Sequence, residues 1–193
     1  KKRNIIYEIE KGKYTLYDDP IIFSSSIILP SYISYWTALR YYGLTEQLPK
    51  NIMIASPKSK KIINFKNVKI IFYKTKYLWG YSKQRYENID IFIADKEKCI
   101  IDILLRKNVI LSEITKALQS NEIDINKLIE YAKKTKNKSL IKRLGYLMEN
   151  NNLEIKDLES KIDNNYILLD TKGYKKGKKD KKWKIIVNWE NDR

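Results

Sequence analysis

The sequence predicts an α+β fold, a mixed β-sheet with packed helices that is preceded by a β-hairpin. Three observations predict it. Short β-branched and aromatic runs dominate residues 51–94, helical patterns dominate 95–162, and two strand-like runs close the chain. At 193 residues and 43% hydrophobic content, the chain suits one domain of ordinary size, or one with an appendage, and can bury a real core.

Asn4–Ile9 and Lys13–Tyr17 alternate apolar and polar residues around Gly12, the pattern of a β-hairpin. Asp19-Pro20 then starts a helix, with Asp as cap and Pro at the first helical position. It is expected to run over Ile21–Leu29 and to stop at Pro30. Ser34 is placed to cap the next helix, Ser34–Tyr42, whose Tyr35, Ala38, Leu39 and Tyr42 share one apolar face. Gly43 supplies a left-handed residue to close it, and Leu44 can fold back on the last turn. Ile52–Ala55, Val68–Tyr73 and Ile89–Ala94 read as strands in a region that holds three or four, with Lys58–Lys61 in a turn. Tyr77–Tyr86 mixes aromatic and basic residues, which suits packing beside strands or stacking on nucleobases.

Asp95 caps the helix DKEKCIIDILLR, which has almost no polar face and should be buried nearly all round. Asp102 is the odd residue inside it. Lys98 lies four residues earlier, the spacing that pairs side chains along a helix, and a buried carboxylate needs such a partner or backbone hydrogen bonds. Further helices are expected over Ser112–Ser120, Asn126–Lys136, Ser139–Asn150 and Glu154–Ile162. In the third, Leu140, Leu144, Leu147 and Met148 form one face, and Gly145 permits close approach of a neighbour. Tyr166–Leu169 and Trp183–Trp189 read as strands joined by Asp170–Lys182, a glycine-containing loop too charged to pack.

Charge points to partners. The formal net charge is +16, from 39 Lys and Arg against 23 Asp and Glu. Such a surface suits nucleic acid first, then an acidic protein or an anionic membrane, although Lys enrichment also marks heat-adapted proteins. The densest positive stretch holds Lys172, Lys175, Lys176, Lys178, Lys179, Lys181 and Lys182; Lys58, Lys60 and Lys61 form a smaller group. One reading is a solvated loop of like charges. The other is lysines gathered to meet phosphate oxygens, which give affinity without sequence choice.

Chemistry is narrowed by what is missing. The chain has one cysteine, Cys99, and no histidine. That excludes an internal disulfide and a cysteine zinc site, removes the usual general base, and suggests a reducing, cytoplasmic setting. No glycine-rich phosphate loop appears, so no cofactor is expected. No apolar run reaches membrane-spanning length and no signal peptide precedes the fold, so no membrane partner is expected. The chain starts at Lys1 without Met and reads as a piece of something longer. A metal-dependent nuclease of the Asp…Asp-x-Lys kind, using Asp163, Asp170 and Lys172, is the enzyme alternative. A basic protein-interaction module is the third reading.

Four segments, in order, resemble the abortive-infection AbiEi antitoxin family, transcriptional regulators of viral defence systems. They are YISYWTALRYYGLTEQLP at Tyr32–Pro49, IADKEKCIIDIL at Ile93–Leu104, SLIKRLGYLMEN at Ser139–Asn150, and LLDTKGYKKGKKDKKWKIIVN at Leu168–Asn188. Tyr32, Ser34, Ala38, Gly43, Leu44, Glu97, Asp102, Arg143, Leu144, Gly145, Tyr146, Glu149, Asp170 and Trp183 fall on family positions. Lys96 and Lys98 replace the usual Pro and Arg. The resemblance implies a winged helix-turn-helix, of which residues 1–18 would be the wing, and an antitoxin domain over 19–193. The recognition helix would then lie upstream of Lys1. The resemblance further implies a non-catalytic antitoxin and DNA-binding autorepressor of a type IV toxin–antitoxin system. Its partners would be operator DNA and a nucleotidyltransferase toxin, countered without a necessarily stable complex. Glu97, Lys98, Asp102, Arg143, Tyr146 and Glu149 would serve as structural or antitoxin positions.

Overall fold

A mixed six-stranded sheet carries the first of two units, Lys1–Asp95 and Lys96–Arg193, into which this computed structural model divides. Residues 6–48, 50–106 and 109–189 are described; Asn4 and Ile5 of the expected hairpin and Pro49 lie outside them. The fold is α+β, with a mixed sheet and packed helices, as the sequence predicts.

In the first unit, β1 (Tyr7–Glu10) and β2 (Lys13–Thr15) form the expected antiparallel hairpin. α1 (Pro20–Ser24) begins as expected, with the Asp19 carboxylate accepting the Ile21 N–H at 2.9 Å. It ends after five residues and does not run on to Leu29. Serine is the reason, because its hydroxyl offers the chain partners other than the helix ladder. The buried Ser25 hydroxyl accepts the Phe92 N–H, and the Ser25 carbonyl accepts the Ser31 hydroxyl at 2.9 Å.

β3 (Tyr32–Ile33) leads into α2 (Tyr35–Tyr41). Ser34 occupies the N-cap position but makes no side-chain capping bond; its backbone N–H instead donates to Met53 at 3.0 Å and extends the pairing of β3. The other end behaves as the sequence predicts. Gly43 sits at φ 71°, its N–H donating to Arg40 at 3.0 Å, and the Leu44 N–H reaches back to Leu39 at 2.9 Å. Tyr35, Ala38 and Leu39 are buried, and the Tyr42 hydroxyl donates to the Ala94 carbonyl at 3.0 Å.

β4 (Asn51–Ser56), β5 (Ile63–Phe65), β6 (Val68–Lys74), β7 (Tyr81–Tyr86) and β8 (Ile89–Ala94) complete the sheet in the order β5-β6-β4-β3-β8-β7. The β4–β6 and β3–β8 pairs are parallel and the rest antiparallel. β5 and β7 go beyond the expected strands. Both lie at edges, and β7 exposes Lys83 and Arg85, charges that discourage edge-to-edge pairing. α1 and α2 pack on the sheet.

The second unit is helical, with a small sheet. α3 (Lys96–Leu104), α4 (Leu111–Gln119), α5 (Ile125–Thr135) and α6 (Lys138–Asn150) match the expected helices to within two residues at each end. At the C-terminus the expectation overshoots α3 by two residues and α4 and α5 by one, and it meets the end of α6. Asp124 and Asn137 cap α5 and α6 by accepting the N–H groups of Lys127 and Leu140. The expected helix Glu154–Ile162 is a short 3₁₀ helix, Lys156–Lys161, with Leu158 alone buried. β9 (Ile167–Leu168), β10 (Lys178–Asp180) and β11 (Ile185–Val187) follow in the sheet order β10-β11-β9. The two expected closing strands pair in parallel, and β10 rises from the segment expected to be loop. All of α3 from Glu97 to Leu104 is buried, as are Leu140, Leu144, Leu147 and Met148 of α6.

Candidate nucleic-acid interface

The platform for the lysine-rich segment is α6. A Cβ placed on Gly145 would fall 2.1 Å from a ring carbon of Trp183, so only glycine lets the indole lie against the helix. Trp183 is fully buried there. Its Nε1–H donates to the Glu149 carboxylate at 2.6 Å, and Lys182 pairs with the same carboxylate and with Glu159 at 2.7 Å. Burial pushes the Glu149 carboxyl up, but the hydrogen bonds from Lys182 and Trp183 outweigh it and hold the group below its ordinary value. The same two carboxylates raise Lys182. Arg143 donates from Nε to the Leu168 carbonyl at 3.1 Å; burial lowers its guanidinium, with Asp170 opposing. Tyr146 is half-buried on the same helix.

Asn188 fixes the segment from the strand side. Its Nδ2 donates to the carbonyls of Asp170 and Tyr174, each at 2.8 Å, and its Oδ1 accepts the Asp170 N–H at 2.9 Å. The Asp170 carboxylate accepts the Lys172 N–H at 2.8 Å. A Cβ on Gly177 would meet the Val187 carbonyl at 2.1 Å, so this backbone lies hard against β11. The segment Asp170–Lys182, expected as a loop too charged to pack, is therefore a backbone pinned to β11 that ends in β10. Its lysines are exposed, while Asp170, Thr171 and Asp180 are half-buried.

Lys172, Lys175, Lys176, Lys178, Lys179 and Lys181 are exposed on that backbone, with no acidic partner among the described residues. The Lys179 ammonium stands 5.2 Å from the centre of the Tyr166 ring and that of Lys184 stands 5.8 Å from it. Lys182 differs, being committed to Glu149 and Glu159. In the first unit, Lys58 and Lys61 are exposed between β4 and β5, whereas Lys60 pairs with Glu10 at 2.7 Å. That bond, with a second from Lys13, holds the Glu10 carboxyl below its ordinary value.

The remaining candidates are built into the second unit. Lys98 and Asp102 form an ion pair along α3, both essentially without solvent exposure. The buried Glu97 carboxylate accepts the Asp124 N–H at 3.0 Å and pairs with Lys127 at 3.1 Å, which ties α3 to the start of α5. Asp163 pairs with the fully buried Lys142 at 2.5 Å and with Lys138 at 3.5 Å; the Lys142 bond holds its carboxyl below the usual range. The carboxylates of the nuclease alternative are thus engaged separately, Asp163 by lysines and Asp170 by a backbone amide. Among the described residues, no group of three His, Cys, Asp or Glu side chains is placed to hold a metal ion, and no helix is long and apolar enough to cross a membrane.

Sequence reasoning missed Lys142 and Tyr174. Lys142 carries no signal, since a lysine in an amphipathic helix reads as solvent-facing. Tyr174 does carry one, as the aromatic residue between Gly173 and two lysines.

No family model and no curated protein matches the chain. Its fold is similar to the crystal structure of the RV2827C protein from Mycobacterium tuberculosis, with a TM-score of 0.58 and 11% identity over 80% of this chain. The chain spans 61% of that protein's length, and at this identity the likeness speaks for the fold alone.

Proposed function

We propose that this chain is a non-catalytic, cytoplasmic antitoxin and DNA-binding transcriptional regulator of a type IV toxin–antitoxin, or abortive-infection, system. It grips DNA phosphates through its lysine-rich surfaces and counters a nucleotidyltransferase toxin. One observation carries the DNA reading: unpaired, exposed lysines crowd a backbone that Asn188, Gly177 and β11 hold in place. Each lysine that neutralises a phosphate releases condensed counterions, and a pinned backbone presents the charges together. Duplex binding through such contacts is sequence-independent. The antitoxin role rests on the four segments that resemble the AbiEi family.

Replacing Lys175, Lys176, Lys178 and Lys179 together by Ala should weaken binding to unrelated duplexes alike, by at least about tenfold at low salt. A changed sequence preference would contradict the phosphate reading. Cutting of labelled DNA or RNA in magnesium, lost in Asp170→Ala, would replace the whole proposal by a nuclease. Growth rescue on co-expression with a nucleotidyltransferase toxin encoded beside the chain tests the antitoxin role; absence of rescue rejects it.

A further inference from the structure

We infer that the Lys172–Lys181 surface takes unpaired nucleotides in preference to duplex, with Tyr174 as the platform on which a base stacks. This rests on the phosphate-binding reading above and narrows its ligand. Tyr174 is 89% exposed, the most exposed large hydrophobic side chain among the described residues. It is not at the tip of a slack loop. Its carbonyl accepts from Asn188 at 2.8 Å, and a Cβ on the preceding Gly173 would lie 2.7 Å from the same amide nitrogen. The backbone is therefore fixed while the ring stands in water.

On its two sides the chain places Lys172 and the pair Lys175 and Lys176. An aromatic ring between cations is what a single strand requires: charge to follow its phosphates and a π-face for a base of any identity. Duplex DNA uses only half of that arrangement, because its bases are stacked on one another. Tyr166 supplies a contrast within the same unit. Its ring has Lys179 and Lys184 over it at 5.2 and 5.8 Å, so it steadies cations, while Tyr174 has no ring or cation contact among the described residues. The exposed ring is otherwise a cost, since water gains nothing from it and no side chain among the described residues covers it.

Fluorescence anisotropy on a 12-nucleotide strand of mixed sequence, as DNA and as RNA, and on its DNA duplex tests this at one salt concentration. The intact chain should hold at least one of the single strands several-fold more tightly than the duplex, and the sugar of the tighter strand identifies its source. Tyr174→Ala should lower the single-strand to duplex affinity ratio by about tenfold, the order a lost base–aromatic stack allows. Tyr174→Phe keeps the π-face and should keep the ratio. An unchanged ratio in Tyr174→Ala, with salt-sensitive duplex binding intact, overturns this inference alone. No salt-sensitive binding to any strand overturns the phosphate reading and this one with it.

Discussion

At Gly145 one hydrogen atom decides whether α6 and Trp183 can pack. The added methyl of Gly145→Ala would fall 2.1 Å from the indole, which is itself held through Nε1 by Glu149. Neither side can yield without losing a buried contact, so the variant should lose about 1–3 kcal/mol or more in urea unfolding. Combining it with Trp183→Ala should cost less than the two single losses added, since the second change removes the clash. Strict additivity would show that the ring does not occupy that place. Asp102 makes a different argument at the same scale. Asn is nearly its isostere, so Asp102→Asn changes charge more than shape and leaves the Lys98 ammonium buried without its carboxylate. A loss of about 3–5 kcal/mol is expected. A loss well below 1 kcal/mol would mean that Lys98 is stabilised mainly by other groups.

Between elements, Asp19 joins α1 to the β7–β8 hairpin. One carboxylate oxygen caps α1 at Ile21 and the other accepts the Tyr86 hydroxyl at 2.8 Å. Burial, with help from Asp19, pushes the Tyr86 phenol up from 10.0 to about 12. A raised value in the folded chain means that the proton is held more tightly there than after unfolding. The stabilisation is therefore fully present below pH 10 and is lost as the pH rises from 10 through 12. Unfolding measured across that window should show a steep decline that Tyr86→Phe flattens; identical slopes would reject the contact. The same hairpin shows where the sequence is hard to read. Its turn is Glu87-Asn88, both at positive φ (45° and 65°), where glycine is the usual hairpin signal. β7 was therefore legible only as an aromatic and basic stretch. Gly43, Asp19-Pro20 and the Lys98–Asp102 spacing act within a few residues, and each appears where the sequence put it, as does the close approach at Gly145. What was illegible depends on distant partners. α1 stops because Ser25 bonds to Phe92 and Ser31, and β10 forms because Asn188 and β11 receive a chain rich enough in lysine to look like open loop. The lysines themselves were legible as a cluster; the frame that presents them was not.

Across the whole molecule, charge excess and available charge are different quantities. Lysines outnumber acids in both units, and their field over a Debye length should draw any polyanion toward the chain. Individual lysines are nonetheless engaged internally, although each such pair uses an acid as well and leaves the excess itself unchanged. Lys60 is paired with Glu10, Lys133 with Asp157, Lys142 with Asp163, and Lys182 with Glu149 and Glu159. A phosphate competing for those ammoniums must displace a carboxylate, which returns part of the counterion gain. The unpaired lysines of 172–181 pay no such penalty. The slope of log affinity against log salt separates the two kinds of charge, because it changes by about 0.9 for each phosphate contact on duplex DNA. Replacing Lys175, Lys176, Lys178 and Lys179 by Ala should flatten that slope by about 3 to 4. Lys60→Ala should leave it nearly as steep as in the parent chain, although both variants lower the net charge. If the fourfold variant keeps the parental slope, binding follows the field of the whole protein and no segment grips the phosphates. If Lys60→Ala flattens the slope by a full contact, the Glu10 pair yields to phosphate and the first unit takes part in the grip.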